Sequence, residues 1–174
     1  METPKFSSDP RLDDTKYSKV KNWEEGIEDE SSADAMLYML KSGLKENGID
    51  LNQHSKILEV GSGLGIFTEY LRKNGYNAVG VDARPRGAVR DGIVAARIEQ
   101  LPFQNNTFDI VLANGVFDTN VYEQDQTLMV QELGRILRVD GVYVSTGPWD
   151  PKNGYENYFE MLSSNRLISV YKKK

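Results

Sequence analysis

The segment Ile57–Leu71, ILEVGSGLGIFTEYL, constrains the fold of this chain more than any other stretch. An apolar run is followed by three glycines at alternate positions and then by apolar residues at helical spacing. Glycine adopts backbone angles closed to other residues and has no Cβ to keep a ligand at a distance. The pattern predicts a buried strand, a tight loop and a helix whose free amide groups suit a nucleotide-like or carboxylate-bearing ligand. A tight turn without a ligand is the alternative.

Predicted strands and helices alternate on both sides of this segment. Strands are predicted at 56–60, 78–82, 93–98, 108–113, 142–146 and 167–171, and helices from 31–34 to Gly48 and at 66–74, 86–91, 124–139 and 155–163. Alternation with short connections is typical of a Rossmann-like, doubly wound α/β domain, with a mostly parallel sheet and helices on both faces. Such sheets bind ligands beyond the carboxyl ends of their strands, where the strand order reverses.

Composition limits the class of protein. The length of 174 residues predicts a single domain, at 31–174, and the hydrophobic content of 39% is ordinary for a soluble protein. The polar segment at 1–30 is expected to be largely mobile. The absence of a membrane-length apolar run or a signal core favours a cytoplasmic protein without membrane contact. Without cysteine, and with His54 as the single histidine, no metal site is expected. A net charge of -5 makes nucleic-acid binding unlikely on electrostatic grounds.

Asp82 narrows the choice of ligand. It ends the second predicted strand, about twenty residues after Gly61, and that position faces the ligand crevice of a doubly wound sheet. A carboxylate there can accept hydrogen bonds from both hydroxyls of a ribose. An aspartate that only caps a turn is the alternative, but the glycine loop at the matching distance favours ribose binding.

The glycine spacing and Glu59 bear on which nucleoside is bound. Dinucleotide sites usually read G-x-G-x-x-G, and here Ile66 occupies the third glycine position. A carboxylate at Glu59, inside the end of the strand, suits a cationic ligand better than a pyrophosphate. S-adenosylmethionine carries a sulfonium, an amino group and a ribose, and is the predicted cofactor. The arginines after the second strand keep a phosphorylated dinucleotide as an alternative; they are Arg84, Arg86 and Arg90.

Five short blocks occur in order between about Lys56 and Gly147. They are 59–65 (EVGSGLG), 79–82 (VGVD), 98–103 (IEQLPF), 108–114 (FDIVLAN) and 132–138 (ELGRILR) followed by Gly141. Any one block is ordinary, but five in register are specific. Together they resemble the class I S-adenosylmethionine-dependent methyltransferases, and most closely the branch that acts on small molecules.

The resemblance implies a set of cofactor-binding residues, which are Glu59, Gly61, Ser62, Gly63, Gly65, Asp82, Ala83, Arg84, Ile98, Glu99, Asn114, Gly115 and Val116. The loop would surround the methionine part of the cofactor and Asp82 would hold the ribose. Residues 83–84 and 98–99 would flank the adenine, and 114–116 would lie below the sulfonium. Arg97 departs from the family, which often places an aspartate there for the adenine amino group.

Methyl transfer needs alignment of the nucleophile, exclusion of water and sometimes a general base. The catalytic residues are unknown from the sequence. Candidates after the fourth strand are Asp118, Tyr122 and Glu123, and Tyr17 and Trp23 are candidates for a lid. His54 is predicted at the surface, at the opposite end of the sheet.

The end of the chain departs from the resemblance. Relatives finish the sheet with two further strands, whereas one helix and one strand are predicted after Gly147. We therefore expect a sheet shortened at its C-terminal edge and an open acceptor site, or one completed by a second copy of the chain or a partner subunit.

Two classes of function remain open. The first is a methyltransferase with a small-molecule acceptor or, less in keeping with the branch, a protein side chain. The second is a methyltransferase-like cofactor-binding protein with weak or absent catalysis that acts in a complex. An NADP-linked reductase is a distant third, because the third glycine and a Tyr-x-x-x-Lys motif are missing.

Overall fold

The computed structural model describes residues 29–83, 91–116, 126–146, 155–165 and 167–174. Its helices are α1 (Glu30–Glu46), α2 (Ile66–Lys73) and α3 (Gln126–Ile136). Its strands are β1 (Lys56–Val60), β2 (Asn77–Asp82), β3 (Ile93–Ala95), β4 (Phe108–Asn114), β5 (Leu137–Thr146), β6 (Phe159–Ser164) and β7 (Ile168–Lys173). Short 3-10 turns lie at Ile98–Gln100 and Tyr155–Asn157.

The described residues form one seven-stranded sheet in the order β3-β2-β1-β4-β5-β7-β6. Strands β1 to β5 pair in parallel, and β7 is antiparallel to both β5 and β6. The chain moves outward from β1 to β2 and β3, then crosses to β4 on the other side of β1. The order therefore reverses between β1 and β4, which places a crevice at their carboxyl ends.

Helices cover both faces of the sheet, as the alternation predicts. Ile57 of β1 packs with apolar residues of α1 and α2. Its neighbours Leu58 and Val60 belong to the core beneath α3. Because successive side chains of a strand point to opposite faces, the apolar residues of β1 supply both cores. Among the described residues, no helix has the length and apolar character needed to cross a membrane.

The predicted helix at 155–163 is wrong. A 3-10 turn at Tyr155–Asn157 is followed by β6, which pairs with β7. Tyr155 and Phe159 are buried against the aromatic rings of Tyr143 and Tyr171, with ring centroids 5.0 Å apart for Tyr155 and Tyr171. This packing and the available edge of β7 outweigh the local helical spacing. The expected shortening of the sheet at this edge is therefore wrong as well.

Other boundaries differ by a few residues. The third strand ends at Ala95, before the 3-10 turn. The predicted helix at 124–139 spans 126–136 within the described residues, and Leu137 already pairs with Phe108 at the start of β5. Asp140 adopts a positive φ of 63° before the regular part of that strand. The predicted helix at 86–91 lies, up to residue 90, outside the described residues.

Candidate functional site

The loop between β1 and α2 turns through left-handed backbone conformations at its glycines. The φ angles are 71° at Gly61, 53° at Gly63 and 73° at Gly65, which is the N-cap of α2. An L-residue with a side chain adopts this region at a cost of roughly 1–2 kcal/mol. The alternate spacing of the glycines in the sequence therefore follows from the backbone path of this turn.

Two of the glycines around the crevice border open space, and one does not. A Cβ at Gly61 would lie 2.3 Å from Cγ2 of Val116, so Gly61 is needed for the close contact between this loop and the segment after β4. No heavy atom of the described residues lies within 4 Å of a Cβ built at Gly63 or at Gly115. The backbone at Gly63 and Gly115 is therefore accessible to a ligand.

Asp82 joins the end of β2 to the glycine loop. Its Oδ2 accepts a 2.8 Å hydrogen bond from the backbone N–H of Gly63, and its side chain is buried. The N–H of Ser62 donates to the carbonyl of Val81 at 2.9 Å. A carboxylate can accept about four hydrogen bonds, so the bond from Gly63 orients Asp82 without exhausting its capacity.

Glu59 lies beneath the loop, against the N-terminus of α2. Its Oε2 accepts a 2.5 Å hydrogen bond from the hydroxyl of Thr68, and the backbone N–H of Thr68 bonds to the same carboxyl group. The N-cap of α2 is Gly65, which offers no side-chain oxygen to the free amides of the helix. Glu59 therefore caps α2 from the neighbouring strand.

Gly80 makes room for this arrangement. It is the register partner of Glu59 on β2. A Cβ at Gly80 would lie 2.6 Å from Oγ1 of Thr68 and 2.9 Å from Cβ of Ser62. Thr68 and Gly80 were not predicted as site residues, because their roles arise from contacts between segments.

Burial raises the pKa of Glu59 to about 7, with the negative charge of Asp82 adding to the effect and the two Thr68 donors opposing it. The side chain is 3% exposed. Near neutral pH the carboxyl group therefore exists in both protonation states.

Ser62 presents a buried hydroxyl at the same place. Its Oγ has no hydrogen-bond partner among the described residues, and the residue is 8% exposed. A buried hydroxyl without a partner is costly, by roughly 1–3 kcal/mol. This orphaned group lies in the glycine loop that directly follows the strand of Glu59.

The end of β2 and the turn after β3 lie side by side. The N–H of Ala96 donates to the carbonyl of Asp82 at 3.0 Å. The turn that follows contains Ile98, which is buried, and Glu99, which is half-buried; Ala83 is also half-buried. The structure thus brings residues 82–83 and 96–99 to one border of the crevice.

An ion pair on α3 fastens the chain after that turn. Glu132 accepts the N–H of Leu101 at 2.8 Å, and Arg135 donates to Glu132 at 2.7 Å. Arg135 also donates to the carbonyls of Leu101 at 2.9 Å and Phe103 at 2.6 Å. The block ELGRILR thus holds the loop at 101–103 against α3. The spacing Glu-x-x-Arg does not predict this role, because the role depends on contacts with a separate loop.

The carboxyl ends of β4 and β5 form the remaining border. The hydroxyl of Thr146 donates to Oδ1 of Asn114 at 2.6 Å, and the N–H of Gly115 donates to the carbonyl of Thr146 at 3.2 Å. Val116 then packs against Gly61. Residues 114–116 therefore lie beside the glycine loop, and Thr146 joins the set of site residues that the sequence did not indicate.

Comparison with known proteins decides the family. The family model described as "Methyltransferase domain" matches residues 58–145, half of the chain, from β1 to the end of β5. The chain belongs to this family. No curated protein matches the sequence.

Solved structures share the fold of this methyltransferase domain. The PH0226 protein from Pyrococcus horikoshii OT3 aligns with a TM-score of 0.65 at 16% identity, over 86% of this chain and 93% of the other. The 1,6-didemethyltoxoflavin-N1-methyltransferase of Burkholderia thailandensis, solved with 1,6-didemethyltoxoflavin and S-adenosylhomocysteine, aligns at 0.62 and 18% identity, over 84% and 80%. An S-adenosylmethionine-dependent methyltransferase of Methanosarcina mazei aligns at 0.57 and 14%, over 71% and 94%. These similarities confirm the α/β fold.

Several residues predicted to contribute to the site lie outside the described residues. These are Arg84, Arg86 and Arg90 after β2, Asp118, Tyr122 and Glu123 after β4, and Tyr17 and Trp23 in the N-terminal segment. His54 is exposed, and it precedes β1 at the end of the strand away from the crevice. Within the described ranges, no three His, Asp or Glu side chains are grouped so as to hold a metal ion.

Proposed function

We propose that this methyltransferase domain binds S-adenosylmethionine at the carboxyl ends of β1, β2 and β4 and transfers its methyl group to a small-molecule acceptor. The observation that carries the proposal is the bond from the Gly63 N–H to Asp82. This bond holds a carboxylate, which suits the hydroxyls of a ribose, beside a loop whose backbone is accessible at Gly63. The backbone at Gly115 is accessible as well. In S-adenosylmethionine a ribose and a methionine chain are joined at one sulfur. A carboxylate for the ribose next to open backbone for the methionine chain matches this ligand.

The cofactor-binding residues of the proposal lie on three borders of the crevice. The loop border is formed by Glu59, Gly61, Ser62, Gly63 and Gly65, the ribose and adenine border by Asp82, Ala83, Ile98 and Glu99, and the β4 border by Asn114, Gly115 and Val116. Arg84 remains a prediction for the adenine side. The orphaned hydroxyl of Ser62 supports a polar ligand, because such a ligand offers the loop the hydrogen-bond partner that the described residues lack.

When bound, the cofactor supplies a methyl group already activated by its sulfonium. The residues of the chain then have three tasks. Asp82 orients the ribose, the glycine loop brings the backbone close to the methionine chain, and the Thr146–Asn114 pair fixes the wall beneath the acceptor side. Glu59, when ionised, supplies a negative charge near the loop that attracts a cationic ligand. Alignment and exclusion of water are the main contributions expected for a displacement of this kind.

A small acceptor is supported by two observations. The net charge of -5 opposes a nucleic-acid substrate. The Burkholderia thailandensis protein with the same fold is named for the acceptor 1,6-didemethyltoxoflavin. In addition, β6 completes the edge of the sheet, which removes the shortened edge that favoured a methyltransferase-like binding protein without catalysis.

Isothermal titration calorimetry with S-adenosylmethionine, S-adenosylhomocysteine and NADP tests the cofactor. We expect the first two to bind and NADP to give no heat. Asp82→Ala should weaken binding by tenfold or more, since two ribose hydrogen bonds of about 1 kcal/mol each are lost. Asp50→Ala, at an exposed aspartate before β1, is the matched control and should leave affinity unchanged. Binding of NADP alone would refute the proposal.

Transfer itself is tested with cofactor labelled in the methyl group. The protein is incubated with fractionated metabolite pools, and label should move to an acceptor fraction of low molecular mass. The Asp82→Ala variant should lose this transfer and the Asp50→Ala variant should retain it. Label that appears only in protein would replace the small acceptor with a protein side chain.

A further inference from the structure

The buried carboxyl group of Glu59 receives both of its identified donors from one residue. The hydroxyl of Thr68 lies 2.5 Å from Oε2, and the N–H of Thr68 bonds to the same group. Thr68 is 0% exposed and Glu59 is 3% exposed. The pair therefore lies out of contact with bulk water, directly beneath the loop that is proposed to hold the cofactor.

The groups that face this carboxyl come from each element packed against it. On β2 they are Gly80, its register partner, and the negatively charged Asp82; on β4 the register partner is Leu112. Helix α2 presents Thr68, and α1 contributes only apolar side chains to the core on this face. Among the described residues, the full charge that acts on Glu59 is the negative charge of Asp82, and the two donors of Thr68 at the N-terminus of α2 oppose it. A cationic ligand at the loop would add an opposite charge.

We propose that Glu59 and Thr68 form a proton-linked sensor of ligand charge, in which the buried carboxyl group, held by the two donors of Thr68, releases a proton when a cationic ligand binds at the glycine loop. This inference rests on the proposed function. It assigns to Glu59 a role in discriminating the cofactor from its demethylated product, and to Thr68 a positioning role exerted through Glu59.

The charge of the ligand gives the direction of the effect. S-adenosylmethionine carries a sulfonium that S-adenosylhomocysteine lacks, so its net charge is more positive by one. An opposite charge within about 4–6 Å lowers the pKa of a carboxyl group by roughly one to three. Burial raises the pKa of Glu59 to about 7 in the free protein, so ionisation on binding releases a proton at pH 6–7. The product, without the sulfonium, should release less.

Ligand affinity should change with pH in a defined direction. A ligand that binds better to the ionised carboxyl binds more tightly as the pH rises toward the free-protein pKa, and its affinity levels off above that pH. We expect affinity for S-adenosylmethionine to rise roughly five- to tenfold between pH 6 and pH 7.5, and affinity for S-adenosylhomocysteine to rise less. Preference for the cofactor over its product therefore grows with pH.

Calorimetry in two buffers of different ionisation enthalpy tests this directly, because the difference in heat counts protons. Measurements below pH 7 avoid the amino group of the ligand, whose pKa is about 8. At pH 6.5, S-adenosylmethionine should release roughly half a proton or more from the wild-type protein, and S-adenosylhomocysteine distinctly less. Glu59→Gln should release none and should bind with nearly pH-independent affinity.

Two substitutions at Thr68 separate the sensor from a merely structural role. Thr68→Val removes the hydroxyl donor at nearly constant volume, so the midpoint of the affinity-pH curve should move upward by about one pH unit. Thr68→Ser keeps the donor and should restore the wild-type midpoint. A simple loss of packing would lower affinity at every pH without moving the midpoint.

The outcomes distinguish a failure of the proton-linked sensor from a failure of the proposed cofactor binding. Binding of S-adenosylmethionine without proton release would overturn the sensor and leave the proposed cofactor intact. An unchanged midpoint in Thr68→Val would likewise overturn it. If neither S-adenosylmethionine nor S-adenosylhomocysteine binds at any pH, both the cofactor and the sensor are refuted.

Discussion

Val116 occupies the space that a side chain at Gly61 would need. The ideal Cβ of Gly61 falls 2.3 Å from Cγ2 of Val116, whereas the same construction at Gly63 meets no described atom within 4 Å. The two glycines share a positive φ but differ in surroundings. One therefore joins the loop to the segment after β4, and the other borders open space.

Gly61→Ala and Gly63→Ala should have different consequences. Both place alanine at positive φ, at a cost of roughly 1–2 kcal/mol. Gly61→Ala also forces Val116 aside, so its free energy of unfolding should fall by a further 1–3 kcal/mol or so. Gly63→Ala should affect cofactor affinity more than stability. Urea unfolding and calorimetry of both variants measure the two effects.

A double variant provides the control for this comparison. Val116→Ala in the Gly61→Ala background removes the clash. The double variant should therefore lose less free energy of unfolding than the sum of the losses in the two single variants. Strict additivity of the two changes would show that Val116 is not the cause.

Thr146 is expected to matter for the geometry of Asn114. Thr146→Val removes the hydroxyl that donates to Oδ1 of Asn114 but keeps the shape of the side chain. We expect a loss of about 1 kcal/mol in the free energy of unfolding and a several-fold drop in methyl transfer or cofactor affinity. Thr146→Ser retains the donor and serves as the control. Equal effects of the two substitutions would assign the role of Thr146 to packing.

The sequence predicted the part of the fold whose signals are local. Segment 57–71 contains its strand, turn and helix within one short window, and Asp82 occupies the position relative to it that a doubly wound sheet requires. The structure places both at the same crevice, with a hydrogen bond between Gly63 and Asp82. The bond follows from the pairing of β1 with β2, and the crevice follows from the reversal of strand order between β1 and β4.

The errors and omissions have a common physical origin in contacts between distant segments. Residues 155–163 form a turn and a strand because Tyr155 and Phe159 pack against rings contributed by β5 and β7. Thr68 and Thr146 look like ordinary helix and strand residues until Glu59 and Asn114 are placed beside them. Such partners lie far apart in sequence, so a periodicity or a short motif does not reveal them.

The ion pair of Glu132 and Arg135 should stabilise the loop at 101–103. Hydrogen bonds from Arg135 hold the pKa of Glu132 below its usual range, and the bond from the Leu101 N–H adds to this. A carboxyl with a lowered folded-state pKa stabilises the protein above its unfolded pKa of about 4.3, and the contribution is lost as the pH falls through the folded value. Glu132→Gln should therefore destabilise the protein at pH 7, and its effect should shrink as the pH falls below about 4.3.

Amide hydrogen exchange gives a local measure of the same ion pair. The Leu101 amide donates to Glu132 and should exchange faster in Arg135→Ala. The free energy of unfolding of this variant should fall by about 1–3 kcal/mol, because the carbonyls of Leu101 and Phe103 lose their donor. Arg138→Ala is the matched control, because Arg138 is an exposed arginine of β5 that pairs with Asp109 and not with Glu132. Unchanged exchange at Leu101 in Arg135→Ala would contradict the proposed anchoring.

Glu59 should make the free protein less stable as the pH rises. Its pKa is about 7 in the folded state, against about 4.3 when unfolded. Below pH 4 both states are protonated and the group contributes nothing. Between about pH 4.3 and 7 the unfolded chain ionises first, so the free energy of unfolding falls by about 3–4 kcal/mol in total and levels off above pH 7. Glu59→Gln removes this pH dependence, so its stability relative to the wild type should be greater at pH 8 than at pH 5. Urea unfolding of the wild type and Glu59→Gln at pH 5 and 8 measures the difference, and parallel shifts of both proteins would show that another group carries the pH dependence.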